Sequence, residues 1–317
     1  MTTVAQKILL RSDRQFHGKL PPRHIGLLLA ELPLAVRQAT SMALRSCSTA
    51  RGPCPAWLER AADVRFVGHE SNGETSLWFE APRLGDAAPE IYSQKSLFPE
   101  SRPLADDTGF DLLADVLADV ERRNADSPNY DPPLLRRIAN SRRLFKRGPF
   151  REFDVLSRRF GPDAPARLSP EVAESARCLL GRTPAPQRVR LVGQLDGLVA
   201  STQQFSLLLD TGEKVVGVFP DDQADCMRHL WRARVLVLGT AVYRASEKLL
   251  RVDAEAVKPG ENESTIFSRM PTPSHAKLDI SKLHKAQGPR SGMAAIMGQW
   301  PGDETDEEVA AALERLS

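Results

Sequence analysis

Few residues of this 317-residue chain combine the type and spacing that acid–base or metal chemistry needs. His69 and Glu70 are an acid and a base in adjacent positions, but neighbouring strand residues point to opposite faces of a sheet, so they would not act together. Asp111, Asp115 and Asp119 recur at helical spacing, where carboxylates can bind a divalent cation. Because no second carboxylate-bearing helix accompanies them, we expect a solvent-exposed row and predict no catalytic residue and no metal ligand.

The short motifs of common enzymes are also missing. The sequence has no phosphate-binding Gly-x-x-x-x-Gly-Lys-Ser/Thr loop, Gly-x-Gly-x-x-Gly turn, His-Glu-x-x-His helix or Gly-x-Ser-x-Gly elbow. Cys47, Cys54, Cys178 and Cys226 form no Cys-x-x-Cys pair, so we expect reduced thiols and not a zinc site. These absences favour a non-enzymatic protein without a cofactor, with an enzyme using an unrecognised site as the alternative.

The largest local charge excess lies in residues 134–160. Nine Arg or Lys side chains stand there against two acids, and nine minus two gives +7. One interpretation is a surface that binds nucleic-acid phosphates through Arg136, Arg137, Arg143 and Arg147. The other, which we favour, is a basic helix over residues 134–147 packed beside the acidic helix one short loop away.

The C-terminal end carries a different pattern, typical of a short amphipathic helix. Thr305 and Glu308 form a capping box, and the apolar residues that follow recur at helical spacing. An isolated helix of this length is marginal in water, so we expect it to dock on a protein surface.

The segment Gly298-Gln299-Trp300-Pro301-Gly302-Asp303-Glu304-Thr305-Asp306-Glu307-Glu308 resembles the C-terminal segment of small bacterial antitoxin-like proteins encoded beside PIN-domain ribonuclease toxins. The resemblance covers only the tail, and the short DNA-binding domain of those proteins is not evident ahead of it. It implies a partner protein with a groove for an aromatic anchor and an apolar helix face. The residues that would bind this partner are Trp300, Pro301, Val309, Leu313 and Leu316. The alternative is that the helix packs back on its own chain.

The elements ahead of the tail predict an α+β domain over residues 1–182. Residues 7–11 fit an arm or an edge strand, and Pro22 starts a helix that Pro33 ends or kinks. Alternating runs over 64–69 and 75–80 predict a hairpin, because Asn72-Gly73 between them suits a tight turn.

Residues 187–258 predict a small five-stranded barrel like those that bind oligonucleotides or oligosaccharides (OB). Five alternating runs occur, with a helical run between the third and fourth whose buried side would be Met227, Leu230 and Trp231. Nine basic and nine acidic residues balance over 188–257, so this barrel is not visibly built for phosphate. We therefore expect Phe205, Phe219 and Tyr243 to be core residues and not stacking platforms.

The remaining residues predict a linker over 259–291 and a tail helix over 292–317. No apolar run approaches the ~18 residues of a membrane span, and the N-terminus lacks signal-peptide features, so we expect a cytoplasmic protein without a membrane partner. The leading hypothesis is an antitoxin-like protein that binds a partner protein, such as a PIN-type ribonuclease toxin, through its tail. The alternative is a nucleic-acid-binding OB-fold protein that uses the basic helix.

Overall fold

The computed structural model describes residues 2–49, 54–72, 74–93, 102–146, 148–160, 164–260, 263–274, 305 and 307. Met1–Ser274 form one compact unit and His275–Ser317 a second. All elements below lie in the first unit. Of the expected linker over 259–291 the structure describes residues 259, 260 and 263–274, and of the expected tail helix only Thr305 and Glu307. The fold is mixed α+β with two sheets, as expected. In the described part of the chain no helix is long and apolar enough to cross a membrane.

The first sheet contains five antiparallel strands in the order β2-β3-β1-β4-β5. They are β1 (Thr3–Ser12), β2 (Arg65–Asn72), β3 (Glu74–Pro82), β4 (Phe150–Val155) and β5 (Ala166–Leu168). The hairpin prediction is confirmed by β2 and β3. The prediction of an arm or edge strand over residues 7–11 is wrong, because β1 is the central strand and buries Ile8 and Leu10.

Eight helices accompany this sheet in the described ranges, and together these elements form what we call the N-terminal part. They are α1 (Pro22–Arg45), α2 (Ala56–Ala61), α3 (Leu84–Ala87), α4 (Pro89–Tyr92), α5 (Gly109–Glu121), α6 (Pro132–Asn140), α7 (Arg142–Phe145) and α8 (Pro170–Arg182). Pro33 does not end α1, because the apolar stripe continues on both sides of it through Leu32 and Val36. Gly109 lets α5 approach α1 closely, since a Cβ there would lie 2.5 Å from Val36 Cγ1.

The basic segment does not form the single helix expected over residues 134–147. α6 ends at Asn140, where the Ser141 hydroxyl donates to the Ile138 carbonyl (2.6 Å), and the separate turn α7 follows. The chain then enters β4, in which Phe150 and Phe153 are buried in the core. The charge excess is therefore spread over two helices, a strand and a loop.

The second sheet is a closed ring of five strands in the order β10-β8-β7-β6-β9, with its own hydrophobic core. They are β6 (Gln187–Val199), β7 (Gln204–Leu208), β8 (Lys214–Val218), β9 (Arg234–Tyr243) and β10 (Leu249–Pro259), and α9 (Ala224–His229) lies between β8 and β9. Phe205, Phe219 and Tyr243 are buried, as expected. Trp231 is not, because α9 ends at His229 and leaves the indole 51% exposed.

The ring is fixed to the N-terminal part by two polar clusters. At the first, Arg251 of β10 lies in the interior, where Nη1 is 3.1 Å from Asp131 and 3.0 Å from the Ser46 carbonyl. At the second, Asp126 accepts hydrogen bonds from Ser246 (2.9 Å) and Lys248 (2.5 Å) in the turn between β9 and β10. The ring and the N-terminal part are therefore joined by a buried ion pair, Arg251–Asp131, and by an exposed one, Lys248–Asp126.

Candidate nucleic-acid interface

Two adjoining clefts on the N-terminal part are lined by cations. Open to solvent, they measure about 920 and 860 Å³ and share two of their lining residues, Arg143 and Lys146. We call them together the basic groove, and its basic side chains are Arg23, His24, Arg142, Arg143 and Lys146. No carboxylate lines either cleft among the residues that the structure describes.

One wall of the groove is the first turn of α1. Pro22 occupies the first helical position, where its missing N–H costs nothing, and Arg23 and His24 follow directly. Gly148 leaves room for the imidazole, because a Cβ there would lie 2.7 Å from His24 Cδ2. The positive end of the α1 dipole adds to the cations at this point, so the wall favours an anion.

The other wall is α7, which is held by a shared carboxylate. Glu31 of α1 pairs with both Arg137 (3.1 Å) and Arg143. Arg137 also donates from Nε to Gln38 Oε1 (2.6 Å), and its side chain is only 26% exposed, so it ties α6 to α1. Arg143 is 54% exposed and, among the described residues, is hydrogen-bonded only through Nη2 to Glu31, which leaves its other N–H groups for a phosphate.

The four arginines of the nucleic-acid hypothesis thus have different positions. Arg143 lines the groove, and Arg137 lies behind it as a structural tie. Arg136 is exposed on α6 but does not line either cleft, and Arg147 lies outside the described residues. The proposed partner-binding residues are also outside the described residues: Trp300, Pro301, Val309, Leu313 and Leu316.

Sequence reasoning missed the α1 side of the groove. Arg23 and His24 precede Arg143 by more than a hundred positions, so no local charge count brings them together. The available signal was two basic residues directly after Pro21-Pro22, at the start of a helix. Arg142 and Lys146 belong to the basic segment over residues 134–160 but are not among the four arginines of the nucleic-acid hypothesis.

The acidic row on α5 does not neutralise the basic helices, and it is not the exposed face we expected. Asp111 is fully buried and accepts from the Ser157 hydroxyl (2.7 Å) and the Arg158 backbone N–H (2.9 Å). Asp115 pairs with Arg159, and burial raises its pKa to about 6. Asp111 and Asp115 thus fix the loop after β4 and do not pair with the cations of the groove, of which Arg143 pairs with Glu31 and Arg142 with Glu174 (3.8 Å).

The remaining candidates for chemistry have structural or solvent-exposed positions. His69 Nε2 lies 3.0 Å from the Gly18 carbonyl, and His69 and Glu70 pair with successive residues of β3, which point to opposite faces. His229 is exposed at the end of α9. Within the described ranges, no group of three His, Cys, Asp or Glu side chains is placed to hold a metal ion.

Comparison with known proteins supplies no relative. No protein-family model, no curated protein and no solved structure matches this chain. Its function is therefore inferred from the groove, the strand order of the ring and the sequence of the tail.

Proposed function

We propose that this chain is a non-enzymatic protein that binds single-stranded nucleic acid through the basic groove. The observation that carries the proposal is the convergence of Arg23, His24, Arg142, Arg143 and Lys146 on one concave surface without a lining carboxylate in the described ranges. Phosphate contacts supply most of the affinity of such proteins. Phe145 also lines the groove and offers an aromatic side chain beside the cations, which suits unpaired bases.

The ring supports an OB-like assignment through its strand order. Numbered within the ring, the order is 1-2-3-5-4 with closure between 4 and 1, a helix lies between strands 3 and 4, and strand 3 (β8) is parallel to strand 5 (β10). OB barrels usually bind along strands 2 and 3, between the loops that join strands 1 to 2 and 4 to 5.

Those two loops are engaged inside this protein. Gln204 at the first loop donates to the Ser46 hydroxyl (2.9 Å), and Ser246 in the second donates to Asp126 (2.9 Å). The ring also has no excess of basic residues. We infer that the ring is a scaffold braced on the N-terminal part and that a long phosphate backbone binds at the basic groove.

Fluorescence anisotropy with labelled single-stranded oligonucleotides tests this function. We expect Arg143→Gln and Lys146→Gln each to raise Kd about threefold to tenfold, or ~0.6–1.4 kcal/mol, because each removes one phosphate contact. Arg188→Gln is the matched control, since Arg188 is an exposed cation on β6 of the ring. Equal effects of all three substitutions would indicate non-specific attraction and overturn the groove assignment.

The tail supports a second function, binding of a partner protein in the manner of an antitoxin. Its support is the segment 298–308, which resembles the tail of antitoxin-like proteins encoded beside PIN-domain ribonuclease toxins. Trp300 and Pro301 would anchor the tail, and Val309, Leu313 and Leu316 would lie in a groove of the partner. A pull-down with the neighbouring gene product should succeed with the full chain and fail with Trp300→Ala and with a chain ending at Arg290. Equal capture by all three would exclude this role for the tail.

A further inference from the structure

A second concave site lies between the ring and the C-terminal end of α1. The cleft measures about 970 Å³ and opens to solvent. Its apolar lining includes Val216, which is 42% exposed, together with the buried Leu44 and Ile91. A concave site with apolar lining and a few polar groups is typical of small-molecule binding.

The polar side of the cleft is already ordered by internal hydrogen bonds. Gln204 Nε2 donates to Ser46 Oγ (2.9 Å), and Thr202 Oγ donates to Gln204 Oε1 (2.8 Å). Ser206 lines the cleft beside Gly197, where a Cβ would lie 2.6 Å from the Ser206 hydroxyl oxygen. Glycine at 197 therefore leaves space for that hydroxyl, and the hydroxyl and amide groups form a preorganised surface for a ligand with several hydroxyls.

Arg102 gives this cleft a preference for an anion. It lines the cleft and is oriented by donation from Nη1 to the Ile91 carbonyl (3.0 Å). No carboxylate lines the cleft in the part of the chain that the structure describes.

We propose that this cleft binds a small phosphate monoester of the nucleoside monophosphate class. The phosphate lies at Arg102, the sugar hydroxyls meet Ser206 and Gln204, and the planar base covers the exposed side chain of Val216. The site lies on strands β6, β7 and β8, the face on which OB barrels bind, with α1 as a wall that limits the length of the ligand. This site is separate from the basic groove and does not depend on its function.

Isothermal titration of the full chain with adenosine monophosphate, up to about 5 mM, tests the proposal, since weak sites have Kd near 1 mM. We expect saturable binding to one site. Arg102→Gln should raise Kd at least about tenfold and Ser206→Ala about threefold to tenfold, because they remove a charge-assisted and a neutral hydrogen bond respectively. Arg65→Gln, an exposed arginine on β2, is the control and should leave Kd unchanged.

Three outcomes would overturn the proposal. The first is no heat of binding across the titration. The second is binding that neither Arg102→Gln nor Ser206→Ala weakens, which would place the nucleotide elsewhere. The third is binding that Arg143→Gln abolishes while both cleft variants retain it, because the nucleotide would then occupy the basic groove. Inorganic phosphate should compete only weakly, since it lacks the sugar and base that fill the cleft.

Discussion

Arg251 of the ring and Asp131 at the start of α6 form an ion pair in the interior, with Nη1 and Oδ2 3.1 Å apart and neither side chain more than 3% exposed. Asp131 also caps α6 by accepting from the Leu134 backbone N–H (3.3 Å), and it accepts from the Ser48 N–H (3.0 Å). Arg251 has a second carboxylate partner in Asp253 (2.6 Å). Asp131 thus connects the ring to the start of α6 and to Ser48, which follows α1. The first turn of α1 forms one wall of the basic groove.

Loss of this arginine should destabilise the whole first unit. We expect Arg251→Ala to lower the free energy of unfolding by about 3–5 kcal/mol, because it leaves Asp131 charged and buried without its ionic partner. Arg188→Ala, which removes an exposed arginine of the same ring, should change it by no more than about 0.5 kcal/mol. Urea denaturation measures both, and equal small effects would show that the pair does not hold the halves together.

Asp115 should make stability fall as the pH rises. Burial raises the pKa of its carboxyl to about 6, above the ordinary value of 3.8, although Arg159 opposes the shift. The folded state therefore keeps this proton after the unfolded state has lost it, and the stabilisation present below about pH 4 is lost as the pH passes through about 6.

The comparison with Asp115→Asn isolates this effect, because asparagine does not titrate. The stability of the wild type relative to Asp115→Asn should fall between about pH 4 and about pH 7 and then level off. Denaturant titrations across that range give the difference. A difference that stays constant with pH would contradict a raised pKa at Asp115.

Gly217 of β8 should be intolerant of any side chain. A Cβ there would meet the Phe205 ring in the core of the ring and lie 2.6 Å from the Val252 carbonyl oxygen. We expect Gly217→Ala to cost about 1–3 kcal/mol, as overpacking does. Gly26→Ala is the control, because Gly26 lies in α1 where an added Cβ would meet nothing within 4 Å, and alanine there should stabilise by about 0.5–1 kcal/mol. Thermal unfolding of both variants tests the contrast, and similar changes in Tm would refute it.

The sequence predicts the ring best, because its strands follow one another through short connections and β7 and β8 alternate buried with more exposed residues. The prediction of an arm or edge strand at β1 is wrong because it relied on Lys7 and Arg11, and charged residues are typical of edge strands. In the folded chain they lie on the face opposite the core, where Lys7 covers the Trp78 ring and Arg11 pairs with Asp154 at 2.8 Å. Contacts of that kind join strands that are distant in the sequence, and periodicity alone cannot locate them.

The site was predicted only in part, for the same reason. The charge count found Arg143, but its neighbours Arg23 and His24 come from α1, and Asp115 pairs with Arg159 and not with the basic helices. A count of charges along the chain records neither which cations meet in a groove nor which are already paired. Tertiary packing decides both.

The salt dependence of single-strand binding tests the central claim most directly. Each phosphate contact contributes about −0.7 to the slope of log K against log salt, so the triple variant Arg23→Gln, Arg143→Gln, Lys146→Gln should bind less tightly and with a slope shallower by about 2. The wild type and Arg188→Gln should have the same slope. An unchanged slope and affinity in the triple variant, or no binding by the wild type at low salt, would contradict a nucleic-acid interface at the basic groove.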